Sequence, residues 1–137
     1  MNFDAEERSL LAGLADILIP SGDGLPPASD AGVAGEGLDQ VLAFRPDLGA
    51  GLKKLLGQAA NRNSEEFVAQ LRSSDPAGYG LLTELVPAAY FLNPQVREKL
   101  GYHGQGPRPI DARTDALDES LLQAVKNRGP IYRPTPK

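Results

Sequence analysis

The chain contains a single histidine, His103, in a glycine-rich stretch beside Tyr102. Imidazole has an ordinary pKa close to neutrality, so His103 could transfer protons if this chain were an enzyme by itself. A carboxylate such as Asp111 would then be the partner of His103. A loop histidine that is exposed or holds one hydrogen bond is the simpler interpretation, and we favour it. With no cysteine and no DxDxDG-type loop, a metal site would also lack its usual ligands. We therefore predict no catalytic, cofactor-binding or metal-binding residue in this chain.

Four acidic residues lie near one another in the first third of the sequence and could in principle bind a hard cation. They are Asp23, Asp30, Glu36 and Asp39. Their positions suit a turn residue, a helix cap and a solvated helix face, and we favour these structural roles. The stretch from Ser21 to Gly24 matches neither GxGxxG nor GxxxxGK, so a phosphate cradle is not indicated.

The last nine residues, GPIYRPTPK, have apolar side chains in a segment whose prolines prevent a helix. We predict an extended arm that either packs on its own domain or lies in a groove of another chain. Both alternatives stay open. If the arm contacts a partner, we expect the contact residues to be those of the arm and of the earlier loop. These are Tyr102, His103, Pro130, Ile131, Tyr132 and Arg133.

Helical periodicity extends over most of the chain, and no stretch has the sustained two-residue alternation of a half-buried strand. We expect an all-α fold of six or seven short helices in one compact domain, residues 1–128, followed by the arm, residues 129–137. The predicted helices run from about Ala5 to Leu18, Asp30 to Ala43, Pro46 to Ala59, a Ser64 cap through Leu71, Pro76 to Leu92, Pro94 to Leu100, and Asp118 to Asn127.

Local signals predict several helix boundaries. Asp4 and Glu7 form a capping-box pattern, and the Ile19-Pro20 step ends the first helix. The segment from Leu81 to Leu92 is the most apolar, so it is our candidate for the central core helix. Pro87 lies within it and predicts a kink, or else two shorter helices. Three glycines weaken the second predicted helix, which therefore needs neighbours to hold it.

Composition excludes several classes of protein. The 137 residues include 41% hydrophobic and 23% charged residues, as in an ordinary globular domain. Residues 1–40 hold eight acidic and one basic residue, for a charge of −7, whereas residues 126–137 hold four basic and no acidic residues. The body has no basic stripe for nucleic acid, and no apolar run approaches the roughly 20 residues that span a bilayer.

Residues 14–33, LADILIPSGDGLPPASDAGV, indicate the end of one helix, a stiff proline-glycine corner and the start of another helix. Together with Tyr90-Phe91 and NPQVREKLGYHGQ, residues 93–105, this corner resembles the gluconate 2-dehydrogenase subunit 3 family. The resemblance covers most of the chain. The matching positions are Leu14, Asp16, Ile19, Pro20, Asp30, Ala31 and Gly32 at the corner, and Leu100, Gly101 and Tyr102 later.

The resemblance implies a small accessory subunit without catalytic residues of its own. Such a subunit associates with a large glucose-methanol-choline type flavoprotein that oxidises a sugar or alcohol and carries FAD, often with a cytochrome c as third component. The alternative is a free-standing helical adaptor with an unrelated partner. The N-terminus has no basic leader, unlike the twin-arginine signal of many members. We therefore expect a cytoplasmic location, or a periplasmic one if a signal-bearing partner exports the chain.

Overall fold

The computed structural model describes residues 2–106, 119–129 and 131. These residues form seven α-helices and a short π-helical segment, with no β-strand among them. The α-helices are α1 (Ala5–Leu18), α2 (Leu38–Phe44), α3 (Leu48–Ala59), α4 (Ser64–Ser74), α5 (Pro76–Leu92), α6 (Pro94–Lys99) and α7 (Glu119–Arg128), and the π-helical segment is Val33–Gly37. The predicted all-α fold is confirmed.

The chain divides into two compact units, residues 1–104 and residues 105–137. The first unit contains α1 to α6 and the π-helical segment, and the second contains α7. The predicted boundary between a domain and an arm at residue 128 stays a prediction. Beyond Gly129, only Ile131 lies within the described residues.

Helix α5 is the centre of the first unit. It contacts α1, α2, α3, α4, α6 and the π-helical segment. Leu82, Leu85 and Val86 of this helix are fully buried. The predicted central core helix is therefore confirmed, and because α5 continues through Pro87, the alternative of two shorter helices is wrong.

The sequence predicts the cap of α1 correctly and that of α4 incorrectly. The amide of Glu7 donates to Asp4 Oδ1 at 2.8 Å and the amide of Asp4 donates to Glu7 Oε2 at 3.0 Å, so the predicted capping box is present. The predicted cap of α4, Ser64, is wrong because Ser64 already has helical geometry. Asn63 caps this helix by accepting from the amide of Glu66 at 3.0 Å.

The second predicted helix begins later than the sequence pattern indicates. Residues 30–32 form a turn. Gly32 adopts a left-handed conformation with φ of 73°, which is incompatible with a right-handed helix at this residue. The chain then follows the π-helical segment before α2 starts at Leu38. The helix-cap role predicted for Asp30 is also wrong, since no side chain caps the π-helical segment or α2.

Arg8 of α1 holds the π-helical segment in place. Its Nη1 donates to the carbonyl oxygens of Ala34 and Gly35 at 2.8 and 3.1 Å, and its Nη2 donates to Asp39 Oδ1 at 2.7 Å. Gly35 departs from helical geometry, and its carbonyl also accepts from the amide of Leu38. A side chain from another helix therefore adds hydrogen bonds at the point where the helical geometry is interrupted.

Candidate interaction surface

The corner between α1 and the π-helical segment, residues 19–32, closes on itself through backbone hydrogen bonds. Asp23 and Gly24 have φ of 50° and 79°, the pattern of a two-residue type I′ turn. The amide of Leu25 donates to the carbonyl of Gly22 at 2.8 Å, and the amide of Ala28 donates to the carbonyl of Ile19 at 3.1 Å. The predicted stiff corner is therefore a compact loop with its ends joined.

Three side chains from the α5–α6 segment bind carbonyl oxygens of this corner. The Tyr90 hydroxyl donates to Pro26 at 2.7 Å, Asn93 Nδ2 donates to Ala31 at 2.8 Å, and Lys99 Nζ donates to Gly24 at 2.8 Å. Asn93 also caps α6, because its Oδ1 accepts from the amides of Gln95 and Val96 at 2.8 and 3.2 Å. The two stretches that carry the family resemblance thus form one bonded unit.

Helix α6 ends in a Schellman motif that fixes the backbone of Tyr102. The amide of Tyr102 donates to the carbonyl of Arg97 at 2.8 Å, and the amide of Gly101 donates to the carbonyl of Glu98 at 2.9 Å. Gly101 takes the left-handed conformation that this motif requires, with φ of 69°. The position of the Tyr102 side chain is therefore tied to the end of α6.

Large apolar side chains of the α5–α6 segment are exposed. Phe91, Leu100 and Tyr102 are 51, 50 and 54% exposed, although Tyr90, next to Phe91, is only 2% exposed. The rings of Tyr90 and Phe91 contact edge to face with centroids 5.5 Å apart. We call Phe91, Leu100 and Tyr102 the exposed α5–α6 residues. Phe44, at the end of α2, is a further exposed aromatic residue.

An ion-pair cluster follows Phe44. Arg45 donates to Asp47 Oδ2 at 2.7 Å, and its Nη1 also contacts Glu84 of α5. The hydrogen bond from Arg45 lowers the pKa of the Asp47 carboxyl, and the bonds to both acids raise the pKa of Arg45. These groups are exposed, so the cluster fixes local geometry and adds little stability.

The candidate site residues from the sequence fall in different parts of the chain. Tyr102 and His103 lie in the first unit and are exposed, and Ile131 is exposed in the second. Asp111, Pro130, Tyr132 and Arg133 lie outside the described residues. Phe91 and Leu100 were not predicted as site residues. Each lies beside apolar residues at helical spacing, and such a pattern predicts burial in the core.

The four acidic residues that the sequence places near one another either make contacts within the fold or are exposed to solvent. Asp23 lies in the type I′ turn, Asp39 pairs with Arg8, and Glu36 accepts from Gln40 Nε2 at 2.9 Å. Asp30 and Glu36 also line a groove of about 410 Å³ beside the start of α6. Across the described ranges, no group of three or more metal-ligating side chains occurs.

Comparison with known proteins adds no relative. No protein-family model, curated protein or solved structure matches this chain. None of the helices described here is long and apolar enough to cross a membrane.

Proposed function

We propose that this chain is a non-catalytic small subunit that binds and stabilises a large flavin-dependent dehydrogenase of the glucose-methanol-choline type. The partner would carry FAD and oxidise a sugar or an alcohol, and a cytochrome c would be a possible third component. The observation that carries this proposal is the bonding of the corner to the α5–α6 segment by Tyr90, Asn93 and Lys99. The corner and the α5–α6 segment, which carry the resemblance to the subunit family, hold each other in place through these hydrogen bonds. This is what we expect of a surface that binds a partner protein.

The exposed α5–α6 residues supply the apolar contact area that a docking surface needs. Phe91, Leu100 and Tyr102 each leave about half of their surface in water, beside a well-packed core. Aromatic and other large apolar side chains contribute much of the binding energy of protein interfaces when a partner covers them. The Schellman motif at α6 fixes the backbone under Leu100 and Tyr102, so less conformational entropy is lost on docking.

The alternative is a helical adaptor that uses the same surface for an unrelated partner. The exposed α5–α6 residues support this function equally, because apolar contact area does not specify the partner. The identity of the protein that co-purifies with the chain separates the two proposals: a flavoprotein supports the first, and any other stable partner supports the second.

The test begins with the reading frames beside this one: a large flavoprotein of the proposed type encoded there would be co-expressed with this chain. We expect the two chains to elute together, and the flavoprotein to be less soluble or less active when expressed alone. If they elute separately and the flavoprotein is equally soluble and active by itself, the proposal is wrong.

Two substitutions locate the contact within that complex. We expect Tyr102→Ser to raise the dissociation constant about ten-fold, because it removes a large interface side chain. The matched control is Phe44→Ser, which removes an exposed ring outside the α5–α6 segment and is expected to change affinity by less than about two-fold. Equal effects of both substitutions would contradict a contact at α6.

A further inference from the structure

The described residues include two partly buried arginines, Arg8 and Arg97, whose environments differ sharply. The guanidinium of Arg8 donates to the carbonyls of Phe3, Ala34 and Gly35 and to the carboxylate of Asp39. Among the described residues, the side chain of Arg97 has no hydrogen-bond or ion-pair partner, and its Nε is buried. Within the described part of the chain, this Nε is the only buried side-chain nitrogen or oxygen atom without a hydrogen-bond partner.

An unsatisfied buried donor destabilises a folded chain, and more so when it belongs to a charged group. The other arginines and lysines that lack a side-chain partner in the described ranges, such as Arg72, are exposed, so water solvates them. Arg97 is therefore the one cation for which burial has a cost that no described neighbour offsets. Such a group indicates an acceptor that the described residues do not provide.

The backbone around Arg97 is fixed, and two exposed apolar residues, Leu100 and Tyr102, follow it closely in sequence. The Arg97 carbonyl accepts from the amide of Tyr102 at 2.8 Å in the Schellman motif. Leu100 follows Arg97 by three residues, a spacing that places two side chains on the same face of a helix. Leu100 and Tyr102 are both exposed. A partly buried guanidinium thus lies at the base of an exposed apolar helix end, a combination typical of interface hot spots.

We propose that Arg97 binds a carboxylate side chain of the partner protein, with apolar residues of that partner covering Leu100 and Tyr102. Guanidinium and carboxylate match in geometry, and a side-on pair would give Nε and one Nη an acceptor each after a small rotation of the side chain. The inference rests on the proposed function and adds the chemistry of the contact: an acidic residue of the partner within an apolar surround.

The first test combines stability with affinity in one substitution, Arg97→Met. We expect it to raise the melting temperature of the free chain, because it removes the unsatisfied charge and keeps an unbranched stem of similar shape. We also expect it to raise the dissociation constant of the complex with the flavoprotein about ten-fold or more. The matched control, Arg72→Met, removes an exposed arginine and should leave the affinity within about two-fold.

Each contrary result overturns the inference. A lower melting temperature for Arg97→Met would mean that Arg97 has an acceptor within its own chain. Unchanged affinity for the flavoprotein would mean that Arg97 makes no contact in the complex, although the complex itself would still support the proposed function.

The second test needs no partner protein and therefore decides the case in which no complex forms. The Nε–Hε NMR signal of Arg97, assigned by its loss in Arg97→Lys, is followed while sodium acetate is added to the full chain. We expect a saturable shift with a midpoint about ten-fold lower in concentration than that of Arg72. An equal response to sodium chloride would indicate an adventitious ion only, and a response to inorganic phosphate without one to acetate would indicate a phosphate site. Either result overturns the carboxylate assignment.

Discussion

The hydroxyl of Tyr90 donates a hydrogen bond of 2.7 Å to the carbonyl oxygen of Pro26, which lies 64 residues earlier in the chain. Tyr90 belongs to the central helix α5, and Pro26 belongs to the corner after α1. We expect Tyr90→Phe to lower the free energy of unfolding by about 1–2 kcal/mol, since it leaves the Pro26 carbonyl without its partner. Urea denaturation measures this loss. Tyr79→Phe is the control, because the Tyr79 hydroxyl has no hydrogen-bond partner in the described residues, and it should change stability by less than about 0.5 kcal/mol.

Ionisation of the Tyr90 phenol at alkaline pH should lower the stability of the chain. Burial raises the pKa of the Tyr90 phenol above its ordinary value, so the fold favours the neutral phenol. This contribution is fully present below the unfolded pKa of about 10 and is lost as the pH rises through the folded pKa. The stability advantage of the unaltered chain over Tyr90→Phe should therefore narrow above about pH 10, as urea denaturation across a pH series would show. A constant difference from pH 8 to pH 11 would contradict a titrating Tyr90.

Arg8 should control the π-helical segment more through carbonyl oxygens than through its ion pair. We expect Arg8→Met to lower the free energy of unfolding by about 2–3 kcal/mol, because the carbonyls of Ala34 and Gly35 lose the guanidinium as a donor. Asp39→Asn removes the exposed charge pair alone and should cost less than about 1 kcal/mol. Hydrogen exchange of the Gly35 and Gly37 amides reports on the segment itself. Equal effects of the two substitutions would assign the role to the ion pair.

Two glycine-to-alanine substitutions should have opposite effects on the stability of the fold. Gly37 has helical angles, but an added Cβ would lie 3.1 Å from both the Cβ and the carbonyl oxygen of Ala89 in α5. The backbone of a buried helix cannot yield easily, so we expect Gly37→Ala to destabilise by about 1–3 kcal/mol. A Cβ added at Gly57 in α3 would have no contact within 4 Å. Gly57→Ala should therefore stabilise by about 0.5–1 kcal/mol. Thermal denaturation of both variants decides the comparison.

Removal of residues 129–137 tests the predicted arm. We expect the helical content by circular dichroism to stay constant and the affinity for the flavoprotein to fall, because proline-restricted extended segments bind with a small entropic cost. Removal of residues 134–137 alone keeps Ile131 and Tyr132 and serves as the control, with affinity close to that of the full chain. A loss of helix in the longer truncation would mean that the arm packs on its own domain.

Helices with local signals at both ends could be predicted from the sequence. The bounds of α1, Ala5–Leu18, follow from the capping box of Asp4 and Glu7 and from the Ile19-Pro20 step, and both signals act within a few residues. The buried stripe of α3 follows in the same way from leucine spacing. The second helix could not be placed, because its start depends on Gly32 in a left-handed conformation and on Arg8, which lies 26 residues before Ala34.

The sequence by itself determined the all-α class, most helix bounds and the stiffness of the corner, since hydrophobic period, caps and prolines act over short distances. Only the tertiary structure decided which apolar side chains stay exposed. Tyr90 and Phe91 are neighbours of similar type, yet one is buried against the corner and the other is half exposed. The tertiary structure also decided that Arg8 has several acceptors and that Arg97 has none among the described residues. Both outcomes depend on contacts between residues far apart in sequence, which no local pattern specifies.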